Sequence, residues 1–369
     1  MTPVVGLDLS CLEATPETGV ERYARRLAEH LPLVATDLEY VVFLRPGRPA
    51  PRVVDPARVV VVPSALPRPA WRETALPRAM RKAGVGVLHA PMAAIPFRSP
   101  APRIATIFDL PAYGASGHDG RLSRNRLRLL HALRAARLII VPSAATRDAL
   151  TVLEPRVKSR LRVVPLGLDP DFRPEGLRLK RDRYGLPESA TYLLWVGTLR
   201  QRKDPLTLVR AFGSLAEKWP ELHLVMCGQL EVTEATLRGP VAGTPANDRL
   251  IITGYAARED LPDLYRESLC LVLPSRLEGF GLPALEAMAC GRPLVVSEDP
   301  ALLELASGAC STFKTGDASD LAAALDNLLE DTDECERLAG EARIRARAFS
   351  WEQCATGHAA VYREALGGS

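Results

Sequence analysis

Short runs rich in β-branched residues alternate along this chain with segments whose apolar residues recur at helical spacing, and no other feature restricts the fold as strongly. VVGLDL at 4–9 precedes GVERYARRLAEHL at 19–31, and LIIV at 138–141 precedes AATRDAL at 144–150. The pattern returns in the second half, where YLLWV at 192–196 precedes PLTLVRAF at 205–212 and CLVL at 270–273 precedes PALEAMAC at 283–290. A strand followed by a helix-length crossover returns as a parallel strand, so the class is α/β, with parallel sheets wrapped by helices. In the first half strands are expected near Val4–Leu9, Tyr40–Leu44, Arg58–Val62, Val87–His89, Ile104–Phe108 and Leu138–Val141. Helices are expected near Val20–Leu31, Trp71–Ala83, Arg121–Ala136 and Ala144–Leu153.

The length of 369 residues implies about two domains, each able to bury its own core. RVVPLGLDPDFRP at 162–174, with three prolines and a glycine, interrupts the alternation and reads as a hinge. Domains are therefore expected at 1–168 and 169–350, and a final helix at 351–369 is expected to return to the first. The second half restarts with strands Tyr192–Val196, Leu222–Cys227, Leu250–Thr253, Cys270–Leu273 and Pro293–Val296. Its helices are expected at Pro205–Lys218, Glu259–Glu267 and Pro283–Cys290, with two helical segments to finish. RLIIVPSAATRDAL and LCLVLPSRLEGFG echo one another as strand, Pro-Ser, then loop and helix, which puts both loops at carboxyl ends of parallel strands, where doubly wound sheets bind ligands.

Apolar residues make up 47% and charged residues 25% of the chain, an ordinary globular composition. The start, MTPVVGLDLS, has no basic leader, and no apolar run reaches the roughly 18 residues of a spanning helix, so a cytoplasmic protein is expected. Seven cysteines, scattered and never spaced C-x-x-C, point to buried thiols and to neither a disulfide framework nor a zinc site. Cutting at Leu168 exposes an asymmetry: 25 Lys/Arg against 13 Asp/Glu before it (+12), then 22 against 31 (−9), summing to the overall +3. A basic first half suits an anionic acceptor or an anionic membrane surface.

PSRLEGFGLPALEAMACG at 274–291 is the most informative segment. It runs from a strand through a loop with Gly279 and Gly281 into a helix whose first-turn proline is Pro283 and whose terminator is Gly291. Gly281 and Leu282 occupy the positions where Ser, Thr, Asp or Asn would cap the free amides. Uncapped amides at the positive end of a helix, beside glycines that admit a ligand to the backbone, form a site for an anion such as a diphosphate. Glu278 and Glu286 flank it, and carboxylates there would repel the anion unless they receive hydroxyl groups of the same ligand. The bland alternative is that Glu286 complements the helix dipole and Glu278 is solvated.

This segment resembles the retaining glycosyltransferases of family 4, which have the GT-B fold of two Rossmann-like domains facing each other across a cleft; EGFGLPALE matches their paired-glutamate signature. Further likenesses are GVERYARRLAEHL, ARLIIVPSAATRDAL, RVVPLGLDPDF, WVGTLRQRKDPLTLVRAF and the stretch from Arg249 to Ser297. The resemblance implies that Glu286 binds the donor ribose, that Glu278 lies by the transferred sugar, and that the backbone of Phe280, Gly281, Leu282 and Pro283 lines the donor pocket. It maps the Arg and Lys that hold the diphosphate onto Arg202 and Lys203, on a loop that opens with Gly197-Thr198 where many members have Gly-Arg. Cations there neutralise charge building on the leaving group; a solvated basic loop is the competing reading.

Gly19, between the first strand and helix, is expected to bring backbone to the donor, or else is an ordinary turn glycine. No G-x-G-x-x-G accompanies it, which disfavours a nicotinamide oxidoreductase. His89 and Asp109 end strands on the expected cleft side; in many similar proteins a His stands where this chain has Phe108, so a polar contact to the sugar is absent. His89, Phe108 and Asp109 are expected on the acceptor side, with Asp109, Glu278, Arg202 and Lys203 as catalytic candidates. Arg121–Arg137 contains six arginines and no acid, spread round a helix, and reads as a solvated basic face or a contact for an anionic membrane. Without interleaved aromatics, nucleic acid is not an expected partner. The Asp-x-Asp triplets at Asp169–Asp171 and Asp331–Asp333 read as turns, and no metal or cofactor is expected.

The sequence thus points to metal-independent transfer of a hexosyl group with retention. The donor is a nucleotide diphosphate sugar, GDP-mannose favoured over UDP-sugars. The acceptor is a saccharide, a lipid-linked molecule or a small molecule. A sugar-nucleotide epimerase and a non-catalytic sugar-nucleotide-binding subunit remain as alternatives.

Overall fold

The structure is a computed structural model that describes residues 2–12, 18–55, 57–110, 120–177 and 179–367, with the backbone alone at 120–124. Two compact units divide the chain: the first combines residues 1–167 and 349–369, the second is residues 168–348.

In the first unit, strands β1 (Val4–Asp8), β2 (Glu39–Leu44), β3 (Ala57–Val61), β4 (Val87–Ala90), β5 (Arg103–Thr106), β6 (Leu138–Val141) and β7 (Leu161–Val163) form one sheet. Its order is β3-β2-β1-β4-β5-β6-β7, parallel throughout. Helices α1 (Gly19–Val34), α2 (Arg68–Ala83), α3 (Gly120–Ala135) and α4 (Ala144–Leu153) connect them. The hinge read at 162–174 starts late, because LRV at 161–163 pairs with β6 and closes the sheet edge.

In the second unit the sheet order is β10-β9-β8-β11-β12-β13, again parallel. The strands are β8 (Thr191–Val196), β9 (Leu222–Cys227), β10 (Leu250–Gly254), β11 (Cys270–Leu273), β12 (Leu294–Ser297) and β13 (Ser311–Phe313). The helices are α5 (Pro205–Leu215), α6 (Glu234–Arg238), α7 (Leu261–Glu267), α8 (Leu282–Ala289), α9 (Pro300–Ala306), α10 (Ala318–Glu330) and α11 (Thr332–Ala346). All of β8 but its first residue, and all of β9 and β11, are buried, as strands covered on both faces must be. Two closing helices were expected; the chain instead ends with α9, the short strand β13, α10, α11 and α12 (Trp351–Ala365). β13 escapes a periodicity reading because three residues, STF, carry too little pattern.

Helix α12 packs on the first unit, burying Trp351, Cys354, Ala355, His358, Ala359 and Tyr362. Each large apolar side chain so covered contributes roughly 1.5–3 kcal/mol of burial. The fit is close at Gly167, where a Cβ would lie 2.5 Å from the Trp351 backbone nitrogen. Among the described residues no helix is long and apolar enough to cross a membrane.

Candidate functional site

The strand order of the second unit reverses between β8 and β11, the point at which doubly wound sheets open a crevice beyond their carboxyl ends. The two loops that leave these strands carry the charged residues singled out in the sequence. After β8, Gly197 (φ 149°) hydrogen-bonds to Cys227 O at 2.9 Å, and Thr198, Leu199 and Arg200 lead to a turn of 3-10 helix at Gln201–Lys203. Gly228 follows β9 and cannot be replaced, since a Cβ there would sit 1.7 Å from Gly197 O. Asp204, in the left-handed region at φ 46°, turns the chain into α5.

After β11, Glu278 is 9% exposed and its carboxylate receives the Lys203 ammonium and the Ser275 hydroxyl, the latter at 2.7 Å. Arg202 Nη1 lies 3.9 Å from Glu278 Oε2 and donates to Leu277 O at 2.8 Å. The loops are further joined by Arg276 N to Arg202 O at 2.8 Å and by the Arg276–Asp204 ion pair at 2.7 Å. Burial drives the Glu278 carboxyl pKa up, but the charges of Lys203 and Arg202 and the bonds from Lys203 and Ser275 outweigh it, leaving it below the ordinary carboxylate value.

Gly279, Phe280 and Gly281 complete the turn into α8. Gly281 is the N-cap at φ 96° with no side-chain cap, and Pro283 sits in the first turn, so the amide end of α8 is presented by backbone alone. The helix begins at Leu282, one residue earlier than expected. Glu286, in its second turn, is 4% exposed and accepts a hydrogen bond from Tyr265 Oη at 2.7 Å. Burial first, and then the adjacent Glu286 carboxylate, keep the Tyr265 hydroxyl well above its ordinary pKa, so it is a donor at neutral pH.

Sequence reasoning missed the layer beneath. Asp299, 4% exposed, caps α9 through Ala301 N and Leu302 N at 3.0 and 3.1 Å and accepts Glu278 N at 3.0 Å with its other oxygen. The dipeptide Asp299-Pro300 is a helix-start signature that could have found it; Tyr265 carried no local signal.

The first-unit candidates are distributed differently. His89 is not an acceptor-facing group: it is fully buried, Nδ1 paired with Tyr362 Oη and Nε2 with Thr106 Oγ1, each at 2.8 Å. A histidine in the middle of a covered sheet must satisfy both nitrogens internally. Gly19 is the first residue of α1 rather than a loop residue, behind a capping box in which Thr18 N donates to Glu21 at 2.7 Å. Phe108 meets Tyr23 edge to face at 5.1 Å, and Asp109 is half-buried beside it. In α3, Leu129, Ala132 and Leu133 pack into the core, as does Ala136 just after it, so the described arginines 126, 128 and 134, with Arg137 beyond the helix end, lie on the outer face and do not ring it. The side chains of Arg121 and Arg124 lie outside the described residues. Asp169 is buried and paired with Arg258, while Asp331 caps α11 through Glu334 N at 2.9 Å; both triplets serve local structure. Among the described residues no three His, Cys, Asp or Glu side chains converge as metal ligands.

Two family models match the chain: Glycosyltransferase Family 4 over residues 18–172 and Glycosyl transferases group 1 over residues 178–345. An O-antigen chain mannosyltransferase B of Escherichia coli is 30% identical over 257 residues, covering 68% of this chain and 66% of that protein. A D-inositol 3-phosphate glycosyltransferase of Thermobispora bispora is 32% identical over 241 residues, 63% of this chain and 54% of that protein. The matches to these curated relatives thus span between about half and two thirds of the relatives' own length. In fold, the sucrose-phosphate synthase of Thermosynechococcus elongatus superimposes with a TM-score of 0.76 at 22% identity, covering all of both chains. With two parallel α/β units and both halves matched, the chain belongs to the group 1 glycosyltransferases, of GT-B fold.

Proposed function

We propose that the chain transfers a hexosyl group, mannosyl by preference, from a nucleotide diphosphate sugar to a saccharide, lipid-linked or small-molecule acceptor, with retention at the anomeric carbon. The observation that carries this reading is the convergence, at the switch point of the second sheet, of Arg202 and Lys203 with Glu278 beside the backbone-only end of α8. The donor diphosphate is received by Arg202, Lys203 and the α8 amides, and Glu286 accepts ribose hydroxyls. As the diphosphate takes over Lys203, the Glu278 carboxylate is released to accept sugar hydroxyls.

In the reaction the bond from C1 to the diphosphate oxygen breaks and the bond from C1 to the acceptor oxygen forms. The acceptor proton passes to the departing diphosphate, whose charge Arg202, Lys203 and the helix end stabilise; the protein cations fill the role a metal plays elsewhere. Phe108 and Asp109 serve the acceptor. The relative named as a mannosyltransferase supports mannose as the transferred sugar, and the one named for D-inositol 3-phosphate supports an acceptor that can be anionic; GDP-mannose is the donor we propose. Exposed Arg126 and Arg128, with Leu127 65% exposed between them, suit contact of a cytoplasmic protein with an anionic membrane.

A second reading is a sugar-nucleotide-binding subunit without turnover, favoured by the apolar Phe108 packed on Tyr23. A thermal-shift panel of GDP-, UDP- and dTDP-sugars without added metal tests both. Stabilisation by GDP-mannose followed by an α-linked product supports transfer, stabilisation with no product from any acceptor supports the binder, and no stabilisation by any donor overturns both.

A further inference from the structure

We infer that His358, on α12, sets the direction of a buried hydrogen-bond chain that holds the Thr106–Asp109 segment in place, and so acts as a positioning residue for the acceptor. This rests on the reading that Phe108 and Asp109 serve the acceptor.

The chain runs Tyr362 Oη, His89, Thr106 Oγ1, Tyr23 Oη, His358, Cys354 O, with separations of 2.8, 2.8, 2.9, 2.6 and 2.7 Å. Tyr23, His89, His358 and Tyr362 are fully buried and Thr106 is 1% exposed. Burial keeps both imidazoles neutral at pH 7, with His358 lowered to about 4. A neutral imidazole has one donor and one acceptor nitrogen. His358 Nδ1 faces a carbonyl, which only accepts, so the proton is on Nδ1 and Nε2 accepts from Tyr23. Tyr23, its proton spent, must accept from Thr106; Thr106 must then accept from His89 Nε2–H, and His89 Nδ1 accepts from Tyr362. One carbonyl on α12 therefore fixes every proton along the line.

The line ends where the acceptor reading begins. Thr106 closes β5 two residues before Phe108, and the Tyr23 ring stands at 86° to Phe108 with centroids 5.1 Å apart. If Tyr23 loses its acceptor on His358 its hydroxyl turns, the bond from Thr106 goes with it, and the ring that supports Phe108 is no longer held.

The full-length protein, labelled with ¹⁵N-histidine, gives the first readout at pH 7.5: His358 should be the Nδ1–H tautomer and His89 the Nε2–H tautomer. The opposite tautomer at either ring overturns the chain. The second compares His358→Leu with His358→Gln, whose amide oxygen can still accept from Tyr23. His358→Leu should shift the Phe108 ring resonances, identified by their loss in Phe108→Leu, and raise acceptor KM by about tenfold with donor KM unchanged; His358→Gln should restore both. Equal effects of the two variants, or unmoved Phe108 resonances in His358→Leu, overturn the positioning role. If the wild type turns over no acceptor, the reading of function has failed, while the tautomers and Phe108 resonances still decide the inference.

Discussion

At the scale of single residues, the Lys203–Glu278 pair is the most telling. A buried ion pair is seldom the most stable filling for its volume, and removing one partner costs roughly 3–5 kcal/mol because the other is left uncompensated. Glu278→Ala should therefore lower the melting temperature, and pyrophosphate should raise it more in the variant than in the wild type, because the anion now meets an unmatched Lys203. Differential scanning fluorimetry with and without pyrophosphate checks this; equal gains would mean the anion goes elsewhere. In the proposed function Glu286 accepts ribose hydroxyls, and charged hydrogen bonds of this kind, which Glu286→Ala would remove, are worth about 1.5–3 kcal/mol. Donor affinity by calorimetry should fall at least tenfold, with the Tyr265 hydroxyl also left without its carboxylate. Arg202→Ala and Lys203→Ala should each lower kcat by about two to three orders of magnitude, as removal of an oxyanion donor does. A rate within a factor of about three of wild type would reduce them to a solvated loop.

Elements show how far the sequence could be read. The strands that flank the switch point, β8 and β11, were legible because a buried parallel strand writes a continuous apolar run, and α8 because a glycine before it and Pro283 inside it mark its start. β7 and β13, three residues each, were lost in a proline-rich stretch and among helices. The Pro-Ser echo illustrates the limit: Ser143 after β6 caps α4 through Thr146 N at 3.0 Å, while Ser275 after β11 turns its hydroxyl to Glu278 at 2.7 Å. One dipeptide in one place on the fold does two jobs, and only the neighbours decide which. His89 was misplaced for the same reason, because its partners Thr106 and Tyr362 are distant in sequence. Asp299 joins the start of α9 to the Glu278 backbone. Asp299→Ala should cost about 1–2 kcal/mol from the cap alone and lower kcat as well, measured by urea unfolding and initial rates. Loss of stability with unchanged kcat would confine Asp299 to capping.

For the whole molecule, the two buried histidines link acidity to stability. Their folded-state pKa values lie below the unfolded value of 6.5, that of His358 at about 4, so the unfolded chain binds more protons between these limits. The stability of the first unit should be fully present above about pH 6.5 and decline as pH falls towards 4. At pH 5 the loss from His358 alone is about 2 kcal/mol, with His89 adding to it, and His358→Gln should weaken the dependence. Melting temperatures at pH 7.5 and 5.0 for both proteins check this; parallel shifts would assign the acid sensitivity to other groups.

That the first unit is built from residues 1–167 and 349–369 while the second is one uninterrupted stretch matters for how the protein is born. A ribosome emits residues in order, and domains fold as units when their chain is available. The second unit, although synthesised later, has its whole sequence out while the first still lacks Trp351, His358 and Tyr362, and with them the cover for Tyr23 and His89. The nascent N-terminal sheet must therefore wait, one helix short, through the translation of the entire second unit, and its folding is completed only once α12 has emerged.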